Sequence, residues 1–269
     1  MPFIIANDIA LHFAVTGPED ADRTLVFVNS LGTDFRIWDA VLAELASRLP
    51  RTRFVTYDKR GHGLSDLGAS VTMADHVTDL AALLDLLGTG AAVICGVSVG
   101  GQIALGLAAA RPDLVAGLVL SNTSHRIGTP EMWQTRIAAI ETGGIAALAD
   151  PILTRWFSQG FIDGFPAQLA GYRNMLTRTP VAGYLGTCAA IRDTDLTIAA
   201  EAVTVPTLCL AGEEDGATPP DLVAAMAALI PGARLETIAK AGHLPGIEFP
   251  AETARLIASL VDTVKEPAP

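Results

Sequence analysis

Gly96-Val97-Ser98-Val99-Gly100 closes the apolar run A-A-V-I-C-G-V (91–97) and opens a helical stretch, 99–110, that Pro112 stops. A strand that turns sharply into a helix leaves its central side chain exposed on a tight, strained turn. Glycine is expected at 96 and 100, because side chains there would collide across the turn. Ser98 then projects into a cleft, with a helix N-terminus beneath it that favours developing negative charge.

Outward from that turn, short apolar runs alternate with amphipathic ones. F-I-I-A and I-A-L-H-F-A-V read as an opening hairpin, and T-L-V-F-V-N (24–29) as a buried strand. The helix that follows carries Trp38, Val41, Leu42, Leu45 and Leu49 on one face. R-F-V-T-Y-D (53–58), L-V-A-G-L-V-L-S-N (114–122), V-P-T-L-C-L-A-G (205–212) and A-R-L-E-T-I-A-K (233–240) are further strands. Thr72 and Asp75 resemble a capping pair that opens a helix ending at Gly88. Thr218-Pro219 is expected to cap another helix, and 250–264 forms the last one. The alternation predicts an α/β fold, a mostly parallel eight-stranded sheet with helices on both faces. Residues 125–200 break it, being helical in composition with Pro and Gly punctuation. An insertion there would lie over the C-terminal edge of the sheet, where ligands bind. The expected organisation is a core of 1–124 and 201–269 with a helical cap of 125–200, and K-E-P-A-P as a loose tail.

The chain has 269 residues, half of them hydrophobic, enough for one large domain with an insertion. Three cysteines exclude a complete disulfide framework, and Cys95 and Cys209 sit inside apolar runs as small core residues. No signal peptide and no membrane span are expected, which implies a cytoplasmic protein. The net charge of −11 makes nucleic acid an improbable partner. That charge is uneven. Residues 125–200 hold six Arg and six acidic residues, so the whole −11 belongs to the rest.

A serine hydroxyl needs an adjacent base. Of the five histidines, only His243 lies beyond the last strand, after Gly242. His12 falls in an early strand, His62 in the D-K-R-G-H-G-L-S loop, His76 on a helix face read as exposed, and His125 at the start of the cap. The acid should end the strand before the last, in G-E-E-D-G at 212–216, where the spacing from Gly212 selects Asp215 over Glu213 and Glu214. The alternative position, after the preceding strand, is Ser121-Asn122 and carries no carboxylate. The chain order Ser, acid, His fits a nucleophile–acid–base triad. Two backbone amides must receive the oxyanion. Val99, after the nucleophile, supplies one, and Leu31, in N-S-L-G-T after the third strand, the other. No phosphate-binding loop and no metal-spaced cluster occurs, so neither cofactor nor metal is expected.

At this point the sequence resembles the 3-oxoadipate enol-lactonases of the α/β-hydrolase superfamily. The motifs are N-S-L-G-T-D (29–34), Y-D-K-R-G-H-G-L-S (57–65), G-V-S-V-G-G (96–101) and G-E-E-D-G-A-T-P-P (212–220). In the cap they are R-I-G-T-P-E-M-W-Q-T-R (126–136), L-T-R-W-F (153–157) and G-Y-L-G-T-C-A-A-I-R (183–192). Val99 departs mildly, since relatives often carry Met there. The resemblance implies hydrolysis of an enol-lactone to 3-oxoadipate in aromatic catabolism, on a small anionic substrate. Trp133 and Arg136, three residues apart on one helix face, would then wall the ring and pair with its carboxylate. A general carboxylesterase, a cofactor-free perhydrolase of the haloperoxidase type, and a ligand receptor on the same fold are the competing readings. A serine nucleophile in place of aspartate argues against dehalogenase and epoxide hydrolase chemistry.

Overall fold

Eight strands form one sheet in the order β1-β2-β4-β3-β5-β6-β7-β8 in the computed structural model, which describes residues 2–264. The strands are β1 (Phe3–Ala6), β2 (Ile9–Thr16), β3 (Arg23–Val28), β4 (Thr52–Tyr57), β5 (Ala92–Val97), β6 (Val115–Ser121), β7 (Thr207–Gly212) and β8 (Arg234–Ile238). β1 pairs antiparallel with β2, and β2 antiparallel with β4; every later pairing is parallel. β5 is buried along its whole length, as a central parallel strand covered on both faces must be. The tail K-E-P-A-P lies outside the described residues.

The body helices are α1 (Asp39–Arg48), α2 (Met73–Leu87) and α3 (Val99–Ala110) before the insertion. After it come α10 (Pro220–Leu229), α11 (Pro245–Glu248) and α12 (Pro250–Val261). Trp38 belongs to a short 3₁₀ turn (Phe35–Trp38) that precedes α1, so the expected single helix is two pieces. α2 opens with the full reciprocal box between Thr72 and Asp75 and closes on Gly88 at φ 58°. Two expectations are corrected here. His76 is fully buried, because the helix Val181–Arg192 of the insertion covers α2 and brings Thr187 Oγ1 to 3.3 Å from its Nε2. Thr218 does not cap α10, which starts at Pro220 without a side-chain cap. Its hydroxyl serves Asp215 instead.

Between β6 and β7 the chain is helical: α4 (Pro130–Ala147), α5 (Ala149–Trp156), α6 (Gln159–Gly164), α7 (Pro166–Thr177), α8 (Val181–Arg192) and α9 (Thr197–Glu201). These helices leave β6 at the C-terminal edge of the sheet, the side on which β5 ends at Ser98, and the chain then crosses back to enter β7 parallel to β6. Gly144, at φ 72°, kinks α4. Among the described residues no single helix is long and apolar enough to cross a membrane.

Candidate active site

Ser98 joins β5 to α3 at φ 59°, ψ −124°, a left-handed conformation that costs a serine about 1–3 kcal/mol. The surroundings over-determine it. Its amide donates to Ser121 O at 3.0 Å, and its carbonyl accepts from Thr123 Oγ1 at 2.6 Å. A Cβ on Gly96 would lie 2.2 Å from Gly100 O, the collision across the turn that the sequence suggested. Gly100 has a different reason: a Cβ there would strike Val28 O at 2.2 Å, where β3 ends beneath the helix.

His243 and Asp215 come from separate loops and meet behind that turn. Asp215 Oδ2 accepts from His243 Nδ1 at 2.9 Å, and both side chains are buried. The bond fixes the tautomer, leaving Nε2 as the free base. Asp215 also accepts from the Ala217 and Thr218 amides at 2.7 and 2.9 Å, from Thr218 Oγ1 at 2.7 Å and from Asn122 Nδ2 at 2.8 Å. Burial pushes its carboxyl upward, but His243 and these donors overcome that and hold it below the usual aspartate range. The His243 amide donates to Trp156 O at 2.7 Å, so the end of α5 helps hold the histidine loop. Glu248 of α11 grips the same loop, accepting from the Gly242 amide at 2.8 Å and from Ser158 Oγ at 2.5 Å.

Ser98 and His243 line one small cavity with Leu31, Trp133, Arg136 and Arg155. Of the expected site residues, Ser98, His243, Leu31, Trp133 and Arg136 line it, Val99 is the first residue of α3, and Asp215 stands behind His243. As a first-turn residue, Val99 has an amide without an intrahelical acceptor. Among the described residues the Leu31 amide likewise has no protein acceptor. Trp133 is buried, its Nε1 donating to Ile127 O at 2.5 Å, and the Arg136 guanidinium sits 4.9 Å from its ring centre.

The arginines of the insertion divide sharply. Arg126 pairs with Asp195, Arg173 with Asp150 and Arg192 with Asp193. Among the described residues no carboxylate lies within ion-pair distance of Arg136 or Arg155, the two that face the cavity. Burial and the nearby Arg136 charge push the Arg155 guanidinium below its ordinary value, with Asp215 opposing. Two unmatched cations in one small cavity repel each other, and an anion placed between them relieves both. Arg155 is further fixed by Nε donating to Gly216 O at 2.8 Å.

Sequence reasoning missed Asn122, Thr218 and Glu248. Asn122 had a signal: it occupies the position where an acid could stand, and it points at Asp215 from there. Thr218, three residues beyond Asp215, was read as a helix cap. Glu248 had no signal, because only the folded loop brings it to Gly242.

A sheet of this order, a serine on a strained strand–helix turn and a His–Asp pair behind it define a hydrolase. Residues 25–256 match the model of the alpha/beta hydrolase family, and the chain belongs to that family. Within it the chain is 34% identical to 3-oxoadipate enol-lactonase 1 of Acinetobacter baylyi, over 95% of this chain and 94% of that protein. The crystal structure of the enol-lactonase from Burkholderia xenovorans LB400 superposes with a TM-score of 0.92 at 33% identity, covering 97% and 100% of the two chains. A thermophilic esterase from Thermogutta terrifontis, with malate bound, gives 0.89 at 29% identity, covering 97% and 98%.

Proposed function

We propose that this hydrolase opens 3-oxoadipate enol-lactone, a lactone carrying a free carboxylate, through an acyl-enzyme on Ser98. The observation that carries the reading is the pair of unmatched guanidiniums, Arg136 and Arg155, in the cavity that Ser98 and His243 line. A neutral ester gives them nothing to bind. The similarity to enol-lactonases over nearly the whole chain supports the same substrate.

The lactone carboxylate sits between Arg136 and Arg155, with the ring against Trp133. Ser98 Oγ attacks the lactone carbonyl as His243 Nε2 takes its proton. Asp215 stabilises the imidazolium that forms, and the oxyanion rests on the Leu31 and Val99 amides. The enolate leaving group is far less basic than an alkoxide, so it departs readily. His243 returns the proton to the departing enolate, and the resulting enol tautomerises to the ketone. Water activated by His243 releases the second carboxylate from Ser98. These steps require neither metal nor cofactor. In this reading residues 125–200 act as the cap that selects the substrate, and 1–124 with 201–269 as the body that performs the chemistry.

The test is steady-state turnover of the enol-lactone against a neutral aryl acetate. The expected result is a kcat/KM for the lactone at least about 10³-fold above that for the acetate, as two charge-assisted contacts provide. Equal values for both esters would make the protein a general carboxylesterase.

A further inference from the structure

Lys59 is fully buried, a rare placement for lysine. Its Nζ donates to one acceptor, the Ser30 carbonyl, at 2.5 Å. That carbonyl belongs to the peptide group whose N–H is Leu31, the amide assigned above to the oxyanion. We propose that Lys59 is a positioning residue for the oxyanion hole: its ammonium polarises the Ser30–Leu31 peptide and so strengthens the Leu31 N–H as a donor. The proposal rests on the active-site reading given above.

Three features of the structure support it. Ser30 O accepts two further bonds, from Thr33 Oγ1 at 2.8 Å and the Thr33 amide at 3.3 Å, so the peptide plane is held from the side opposite its N–H. The Leu31 amide is left without a protein acceptor. A charge-assisted bond to a carbonyl shifts electron density along the amide towards oxygen, which makes the N–H more acidic. Withdrawing a lysine from water is costly, and a methionine would fill the same space without that cost.

The ammonium is held by a finely divided set of neighbours. Burial pulls Lys59 down to about 7, while Asp58 on the same loop and Asp34 beyond β3 act in the other direction. His62 on the same loop and His76 on α2 also face it, and burial together with the Lys59 charge keeps both imidazoles neutral. The protonated, polarising form therefore predominates below about pH 7 and is lost above it.

The experiment compares wild type, Lys59→Met and Lys59→Gln on a neutral aryl acetate from pH 5.5 to 9.5, with active sites counted by an organophosphate that labels Ser98. Below pH 7 both variants should lose about tenfold in kcat and in kcat/KM with KM unchanged, less than the loss of a whole oxyanion donor. The wild-type-to-variant ratio should shrink towards unity above pH 8 as the wild-type ammonium deprotonates. A purely structural lysine would give a ratio that does not vary with pH, and that result would overturn the proposal. A second measurement needs no variant. Ser-Leu occurs only at 30–31 and 259–260, so protein labelled with ¹³C-carbonyl serine and ¹⁵N-leucine shows two selected amides. The Leu31 amide should titrate with a midpoint near 7, and Leu260 should stay fixed. A Leu31 signal that does not move between pH 6 and 9 would also overturn it, even where a variant fails to fold. If Ser98 takes no label in wild type, the active-site reading itself fails, while the amide titration still reports on Lys59 separately.

Discussion

Arg60 in the body and the two cavity arginines of the insertion are held in opposite ways. In the body, Arg60 is buried and matched by Asp79, Nε to Oδ2 at 2.6 Å and Nη2 to Oδ1 at 2.5 Å, with Asn7 completing the carboxylate. The Arg–Asp geometry is bidentate, and its function is to fix the loop that carries Asp58 to Ser65. In the insertion, Arg136 and Arg155 face the cavity without a carboxylate. A folded protein rarely leaves two partly buried cations close together unless something else neutralises them. The guanidinium buried in the body is thus matched by a carboxylate, whereas the two at the cavity are not.

Removing the nucleophile tests the body most severely. Ser98→Ala and His243→Ala should each lower kcat by about 10⁴–10⁶-fold on every ester, because the members act as a unit. Circular dichroism should show the fold retained, because alanine keeps the Cβ and the same left-handed backbone at position 98 and removes only the hydroxyl. An Ser98→Ala protein with near-wild-type turnover would remove the basis of the mechanism.

Asp215→Asn should cost about 10⁴-fold, since the amide no longer holds His243 in the tautomer that leaves Nε2 free. It also faces the Ala217 and Thr218 amides, which require an acceptor on Oδ1. Glu214→Gln, one residue away, should change turnover by less than about twofold, as exposed substitutions do. The reverse order of effects would move the acid to Glu214.

The contrast between regions is sharpened by the cap arginines, with a smaller effect. Arg136→Ala and Arg155→Ala should each raise KM for the enol-lactone by about 10–100-fold, the worth of one charge-assisted hydrogen bond. Turnover of an aryl acetate should stay within about twofold for Arg136→Ala. Parallel loss on both substrates would place the arginine in the structure of the cap and not in recognition.

How much of this could be read beforehand follows from the range of the forces involved. Ser98, Gly96 and Gly100 are set by local backbone sterics, so five residues suffice to read them. Asp215 and His243 follow from chain order along a sheet whose strands show in the hydropathy. Trp133 and Arg136 share a face through helical periodicity, and the ring–guanidinium contact follows. What was not legible depends on helix-on-helix packing. His76 reads as exposed from its own helix alone, and the packing of α8 on α2 covers it. Nothing local separates Arg155, aimed at the cavity, from Arg173, paired with Asp150. Lys59 was a letter in a loop motif until the fold placed it beneath the Ser30 carbonyl.

The smallest expected effect lies where body and cap meet, at Glu248. Its Oε1 accepts from the Gly242 amide, and its Oε2 from the Ser158 amide at 3.1 Å and the Ser158 hydroxyl. Both oxygens act as acceptors, so a glutamine must turn its NH₂ towards at least one N–H donor. Glu248→Gln should therefore cost about 1–3 kcal/mol in stability and less than about tenfold in kcat, the latter through looser placement of His243. Its pH dependence distinguishes it from Asp215. Burial, only partly offset by Ser158 and Gly242, raises the Glu248 carboxyl above its ordinary 4.5. The folded protein then holds a proton that the unfolded chain has already released, so this group's contribution to stability falls as pH rises through the window just above 4.5. Asp215, held below 3.8, works the other way: its contribution is present above that value and is lost as pH falls beneath it. Thermal denaturation of wild type and Glu248→Gln from pH 4 to 7 reads the difference directly. The gap in Tm should narrow as pH rises out of that window, because wild type pays the ionisation cost and the glutamine variant does not. A gap that is constant, or that widens with pH, would mean that Glu248 is ionised in the fold at its ordinary value and that its three donors outweigh its burial.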